Sequence, residues 1–217
     1  VPIFTNDDKT REKIFEKIRD YRRDGGKIIF LNAVGLDIGD IPFVSVDEAA
    51  GGMIAARHLL GKKCASHHVF HFPGRIYGLR TKGFVDFMKS NAPDSPTRTI
   101  EIFGPGPGKY DMVHSMLDEI LKDGAGRPGI FCTADIIAQH VFLQTQKKGL
   151  KIGVDFDLVG YDRSQWEVGP FEYPRVIQPF FEVGRRGVLK LCDMIAGKTG
   201  DCEIMSPELM TFWTDNL

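Results

Sequence analysis

Short runs rich in β-branched and aromatic residues alternate with longer stretches whose apolar positions recur every three or four residues. Pro2 to Thr5 reads as a strand, and "DDKTREKIFEKIRDYRRD" as a helix carrying Ile14, Phe15, Ile18 and Tyr21 on one face. "KIIFLN" and "PFVSV" are strands. "EAAGGMIAARHLLG" is a helix that buries Ile54, Ala55 and either His58 or Leu59 and stops near Gly61. "HHVFHF" is a strand, and "RTKGFVDFMKS" a helix with Phe84, Phe87 and Met88 inward. The alternation continues through "TIEIF", "YDMVHSMLDEILKD", "GIFCT", "DIIAQHVFLQTQKKG", "FDLVG" and "FFEVGRRGVLKLCDMIAGK", and the tail from Cys202 to Trp213 is extended.

Strands that alternate with helices of this length form parallel sheets through right-handed crossovers, an α/β architecture. Such sheets take ligands beyond the carboxyl ends of their strands, at the topological switch point. Four apolar runs here finish in an acid: "PIFTND" at Asp7, "FVSVD" at Asp47, "GIFCTAD" at Asp135 and "LVGYD" at Asp162. Each acid also has a plainer role, because an aspartate at a helix start accepts free backbone N–H groups. Capping is the first expectation for Asp7 or Asp8. For Asp47 and Asp135 capping and ligand contact are compatible, and for Asp162 the loop-like "RSQWE" that follows weakens the capping account.

The chain has 217 residues, 42% of them hydrophobic, enough for two modest lobes or one large domain with a proper core. Its formal net charge of -1 gives no general attraction to nucleic acid or an anionic membrane. Cys64, Cys132, Cys192 and Cys202 are scattered, without C-x-x-C spacing, and Cys132 and Cys192 lie among apolar neighbours. A reduced, cytoplasmic protein is the expectation. No run of eighteen apolar residues occurs. The start at Val1, with neither Met nor a leader, suggests a portion of a longer protein.

Several motifs fail on inspection. "GPGPGKY" (104–110) has three residues, not four, between Gly104 and Gly108, and Tyr110 stands where a P-loop needs Ser or Thr, so it reads as a turn. His67 and His71 share one strand face while His68 takes the other, which argues against a metal site. No G-x-S-x-G elbow or recognisable cysteine nucleophile is present. Nothing points to covalent or acid–base catalysis, to a cofactor or to a metal.

Five fragments in fixed order resemble one family. They are "VSVDEAAGGMIAARHLLG", "GLRTKGFVDFMK", "PGIFCTADIIAQHVFLQTQKKGLKIGVDFDLVGYD", "PRVIQPFFEVGRRGVLKL" and "MSPELM". Together they resemble the effector-binding region of the lactose/galactose-repressor family of transcription regulators, closely from about Ile41 onward and more loosely from Val1. The resemblance implies two doubly wound parallel-sheet lobes with a ligand cleft between them, as in periplasmic binding proteins of type I. One lobe would hold residues 1–61 and about 180–200, and the other 62–179 and about 201–217. The first lobe is expected to be incomplete, since the family has two more strand–helix units and a helix-turn-helix headpiece ahead of it.

The resemblance also implies roles. Asp47 would face the cleft from the first lobe, and Arg80, at the start of its helix, and Asp162 from the second; Asp135 belongs to the Asn-Asp signature. A carboxylate accepts from two neighbouring hydroxyls and a guanidinium donates a fork of N–H groups, which suits a polyol. Ala134 stands where many members have a contacting Asn, and Thr133 is the candidate replacement. Gly108 stands where the family often has an aromatic ring, leaving Tyr110 or Phe103 to supply a flat face. Arg75 and Tyr77, on the loop before Arg80, are candidates for specificity. Gln178 and Phe180 mark a crossing between lobes. The function implied is a ligand-responsive transcription regulator that binds a small effector, a sugar or related polyol ahead of a purine, and acts as a homodimer on operator DNA through a headpiece outside this sequence. A periplasmic sugar-binding protein of a transport system is the alternative on the same fold, and an α/β enzyme a more distant one.

Overall fold

A computed structural model describes residues 8–33, 38–103, 108–122, 126–162 and 173–211. The strand expected over Pro2–Thr5, the acid at Asp7 and the segment "RSQWE" lie outside these residues. The chain divides into two compact units: Val1–Val46 with Phe180–Met205, and Asp47–Pro179 with Ser206–Leu217.

The first unit contains helix α1 (Asp8–Arg23), strands β1 (Phe30–Leu31) and β2 (Phe43–Val46), helix α6 (Phe180–Ile195) and strand β8 (Glu203–Met205). Among the described residues its three strands are parallel in the order β1-β2-β8. Register places Leu31, Val44 and Glu203 side by side, with Val46 beside Met205, and α6 packs on this face through Val183. Phe15 of α1 meets Phe30 edge to face, at 6.2 Å between ring centres. Ile14, Phe15 and Ile18 are half-buried as their spacing predicts, but Tyr21 is exposed and its ring lies where a side chain on Gly26 would have to go.

The second unit holds α2 (Glu48–Gly61), β3 (Ser66–His71), α3 (Arg75–Asn91), β4 (Thr97–Glu101), α4 (Gly108–Lys122), β5 (Pro128–Cys132), α5 (Asp135–Lys147), β6 (Asp157–Tyr161), β7 (Arg175–Ile177) and β9 (Glu208–Met210). Among the described residues its six strands run in the order β4-β3-β5-β6-β7-β9, all parallel except β9. Residues of β5 alternate between two cores. Ile130 and Cys132 join Ile100, Val113, Leu117 and Val141 on one face, while Phe131 joins Leu59, Phe84, Met88 and Val159 on the other. Burial on both faces explains why these strands read as continuous apolar runs rather than as half-polar ones. The chain leaves β3 to one side for β4 and returns to the other for β5, so the switch point lies between the carboxyl ends of β3 and β5.

The helices α2 and α3 cross at very short range. A Cβ on Gly52 would lie 1.9 Å from the Arg80 carbonyl oxygen, and one on Gly83 2.0 Å from that of Ala49. Only hydrogen at both positions allows this approach.

Four expectations are corrected. Helix α2 and Asp47 belong with the second unit, not the first, because α2 buries Ala55, Ala56 and Leu59 in that unit's core and packs on α3. The tail splits: β8 pairs with β2 in the first unit, and only β9 joins the second sheet. Helix α3 starts at Arg75, so Arg75 and Tyr77 sit in its first turn and Arg80 in its second, not at its beginning. Gly74, at φ 125°, turns the chain out of the strand, and Gly78 lies inside the helix although both glycines signal a loop. Finally, Cys132 is buried but Cys192 is exposed.

Candidate functional site

Three carboxyl ends of the second sheet meet in one buried cluster centred on Arg80, which is 4% exposed. Its Nε donates to Glu48 Oε2 at 2.6 Å, and its Nη1 to the carbonyl of Thr133, just past β5, at 2.8 Å. Its Nη2 lies 3.5 Å from Asp162 Oδ2, at the end of β6. The guanidinium carbon sits 3.7 Å from the centre of the Tyr161 ring, close enough for a cation–π contact. The Tyr161 hydroxyl donates to the same Glu48 oxygen at 3.0 Å. Beyond β7, Gln178 Nε2 donates to both oxygens of Asp162, at 2.8 and 2.9 Å. The Gln178 Oε1 is buried without a hydrogen-bond partner among the described residues.

Electrostatics follow from burial and pairing. Burial pulls the Arg80 guanidinium down, but the hydrogen bond and charge of Glu48, with Tyr161 and Asp162, leave it above its ordinary value. Asp162 is held above the usual carboxylate range, chiefly by burial; Arg80 and Gln178 pull it back, and Glu48 and Asp135 push it further. Burial and then Glu48 raise the Tyr161 hydroxyl, so it remains a donor. The backbone at Asp162 is left-handed, φ 70°, a conformation that Asp and Asn tolerate better than most residues.

A second buried cluster forms around Asp135. Tyr173 donates to its Oδ1 at 3.0 Å and Gln139 to its Oδ2 at 2.7 Å, and Arg175 Nε lies 3.8 Å from Oδ1. The Arg175 guanidinium also stacks over the Tyr173 ring at 4.4 Å. Asp135 is the first residue of α5 and does not cap it; Ala134 occupies that position without a side-chain cap bond. Asp47 does cap α2, accepting the Ala50 N–H at 2.8 Å.

The remaining sequence candidates are placed as follows. Thr133 is fully buried, and its hydroxyl donates back to the Phe70 carbonyl, so its carbonyl rather than its hydroxyl serves the cluster. Tyr77 lies 5.7 Å from the Arg80 guanidinium carbon and packs edge-on against Phe72. Arg75 is exposed beyond the carboxyl end of β3, with no hydrogen bond to another described residue. Tyr110 stacks flat on His140 at 3.8 Å between ring centres, a contact between α4 and α5. Phe180 opens α6 in the first unit and is exposed, and Phe103 is exposed too. Residues 104–107 of the glycine-proline motif lie outside the described residues, and Gly108 starts α4.

Sequence reasoning missed Glu48, Tyr161, Tyr173 and Arg175. Glu48 had a signal: residues 48, 52, 55 and 59 share the buried face of α2, and a carboxylate on an apolar face needs a cation. Among the described residues, no three His, Cys, Asp or Glu side chains gather as a metal ion would require, and no helix is long and apolar enough to cross a membrane.

No family model matches the chain. It is 29% identical to the HTH-type transcriptional repressor CytR of Escherichia coli (strain K12) over 86 residues, 35% of this chain and 25% of that protein. It is 25% identical to the HTH-type transcriptional repressor PurR of Photorhabdus laumondii over 201 residues, 88% of this chain; it thus spans about half the length of that relative, 56%. The solved periplasmic binding protein/LacI transcriptional regulator from Alkaliphilus metalliredigens, complexed with D-xylulofuranose, superimposes with a TM-score of 0.66 at 24% identity, over 95% of this chain and 83% of that one. Likeness of sequence to a repressor and likeness of fold to a periplasmic binding protein/LacI transcriptional regulator both extend over most of the chain, which has the fold of that structure.

Proposed function

We propose that this chain is the sensing part of a ligand-responsive transcription regulator, taking a small polar effector, a sugar foremost, at the carboxyl ends of the second sheet. The reading rests on one observation above the rest: Arg80, Asp162 and Gln178 converge from α3, β6 and β7 into a single hydrogen-bonded cluster at the edge where parallel sheets receive ligands. Asp162 is its open member, with a quarter of its side chain accessible, 25%. A sugar supplies paired hydroxyls that a carboxylate accepts and an amide or guanidinium complements, each charged hydrogen bond being worth about 1.5–3 kcal/mol. Arg75, exposed and without a hydrogen bond to another described residue, would add donors at the switch point. Relatives that are repressors, and a structural relative holding a pentulose, support a sugar as guest and operator DNA as the eventual target. The DNA would be engaged by a headpiece outside this sequence, by a homodimer in the cytoplasm.

An effector controls such a protein only through a difference in affinity between two states. The crossing segments after Val46, Pro179 and Met205 are where the chain passes from one unit to the other, and Gln178 stands one residue before the second of them.

Thermal shift against pentoses, hexoses, disaccharides and nucleosides tests the reading. A guest at this site raises Tm in the parent, and the rise disappears in Asp162→Ala. A guest whose effect survives that change, and survives Arg75→Ala as well, binds elsewhere and overturns the assignment.

A further inference from the structure

Resting on that reading, we propose that Glu48 is a specificity-determining residue: by occupying Arg80 from within, it restricts the site to uncharged effectors and excludes phosphorylated or carboxylated ones. An arginine at a ligand-binding edge is ordinarily a receptor for anions, because its planar fork matches phosphate and carboxylate. Here the fork is already engaged. Glu48 takes Nε, the Thr133 carbonyl takes Nη1, and Asp162 stands against Nη2.

Charge counts the same way. One guanidinium faces two carboxylates in the bonded network, and the Glu48 charge also acts on Arg75 at the same edge, so the two acids balance the two arginines and without Glu48 the edge would be cationic. Within the bonded network a guest meets Asp162 rather than Arg80, since the Asp162 side chain is 25% accessible while those of Arg80 and Glu48 are 5% and 7%. A phosphate there would set its charge beside an ionised acid, a strongly unfavourable pairing at low dielectric. A sugar hydroxyl would instead donate to that acid.

Glu48 is fixed in this role by its surroundings. The Gly52 and Gly83 crossing brings the first turn of α2 against α3, and the Tyr161 hydroxyl holds the same carboxylate oxygen that receives Arg80 Nε. Glutamine at this position keeps the length and one acceptor oxygen, removes the charge and puts an amide NH2 in place of the other oxygen.

The test compares the parent, Glu48→Gln and Glu48→Gln/Asp162→Asn, each confirmed folded by far-UV circular dichroism and a cooperative urea transition. Each is titrated with millimolar sulfate against chloride at constant ionic strength. The parent shows no sulfate-specific shift in Tm. The double variant, with Arg80 uncompensated, gains roughly 3–5 °C at tenfold saturation, and Glu48→Gln gains less. Adding Arg80→Leu abolishes both gains. An Arg80-dependent sulfate shift in the parent, or none in the charge-relieved proteins, overturns the proposal. If the double variant does not fold, Glu48→Gln decides on the same criterion. D-xylulose and D-xylulose 5-phosphate form a separate arm: the proposal predicts that the phosphate ester gains on the free sugar in Glu48→Gln. If neither compound nor any other sugar binds, the sugar reading fails while the sulfate result still decides the role of Glu48.

Discussion

Gln178 straddles Asp162, its Nε2 2.8 Å from one carboxylate oxygen and 2.9 Å from the other. The Gln178 amide offers at most two N–H donors to a carboxylate with about four lone-pair sites, and the carboxylate stays partly exposed at 25%. The acid is therefore held in position while keeping acceptor capacity for a guest.

Replacing Asp162 with Asn should separate binding from stability. Asn suits the left-handed backbone and keeps an acceptor for Gln178. Burial above all raises the Asp162 pKa in the folded protein, so its contribution to stability is complete below the ordinary value of 3.8 and is lost as pH rises through the folded value. At pH 7 the ionised acid is thus a net cost. Asp162→Asn should unfold at the same temperature as the parent or slightly higher at that pH, and the parent should gain on it as pH falls toward 4. Scanning calorimetry across this range checks the sign, and the sugar-induced shift should be absent from the variant throughout.

A second prediction concerns the helix crossing. A methyl on Gly83 meets the Ala49 carbonyl, and one on Gly52 meets that of Arg80, both backbone atoms that cannot swing aside. Gly83→Ala should destabilise the protein by about 2–3 kcal/mol, the upper part of the usual cost of overpacking. The loss should be accompanied by a weaker ligand response, because parting α2 from α3 also parts Glu48 from Arg80. Urea denaturation measures the first effect and the sugar titration the second. A variant as stable as the parent would show that the crossing has slack.

Much of this arrangement was legible in the sequence. The apolar runs located most strands, because a sheet buried on both faces leaves no room for polar residues between. Asp162 could be singled out as an acid closing an apolar run, and Arg80 and Gln178 through the resemblance to the repressor family. Legibility failed where tertiary packing overrides a local signal. "PGRIYG" carries two glycines and a proline, yet helix α3 begins within it at Arg75. Glu48 looked like a first-turn acid, and nothing local says that its partner is 32 residues away. The extent of β8 was unreadable for a similar reason. Only its pairing with β2 makes Glu203–Met205 a strand of the first unit.

The four cysteines should divide into two pairs by reactivity. Cys64 is buried, and burial together with Asp157 pushes its thiol up to about 12; Cys132, fully buried, is raised chiefly by burial. The thiolate is the nucleophile, so both should resist alkylation in the native protein. Cys192 and Cys202 are exposed and should react with iodoacetamide at ordinary rates at pH 8. Mass spectrometry after brief labelling should find two modified positions, both in the first unit, and four after denaturation. Early labelling of Cys132 would contradict the burial of β5.

Arg75 offers the sharpest separation of function from fold. It is exposed in the first turn of α3, where its guanidinium feels the charge of Glu48 but makes no hydrogen bond to a described residue. Truncating such a side chain ordinarily changes stability by less than about 0.5 kcal/mol. Its position beyond the carboxyl end of β3, at the switch point beside β5, is where a guest would be met. Arg75→Ala should therefore keep the parent's unfolding midpoint in urea while weakening sugar binding by roughly tenfold or more, the loss of one charge-assisted hydrogen bond. Isothermal titration of the two proteins with the same sugar measures that ratio. Equal affinities would move the guest away from the β3 end and toward the Asp162 side of the edge alone.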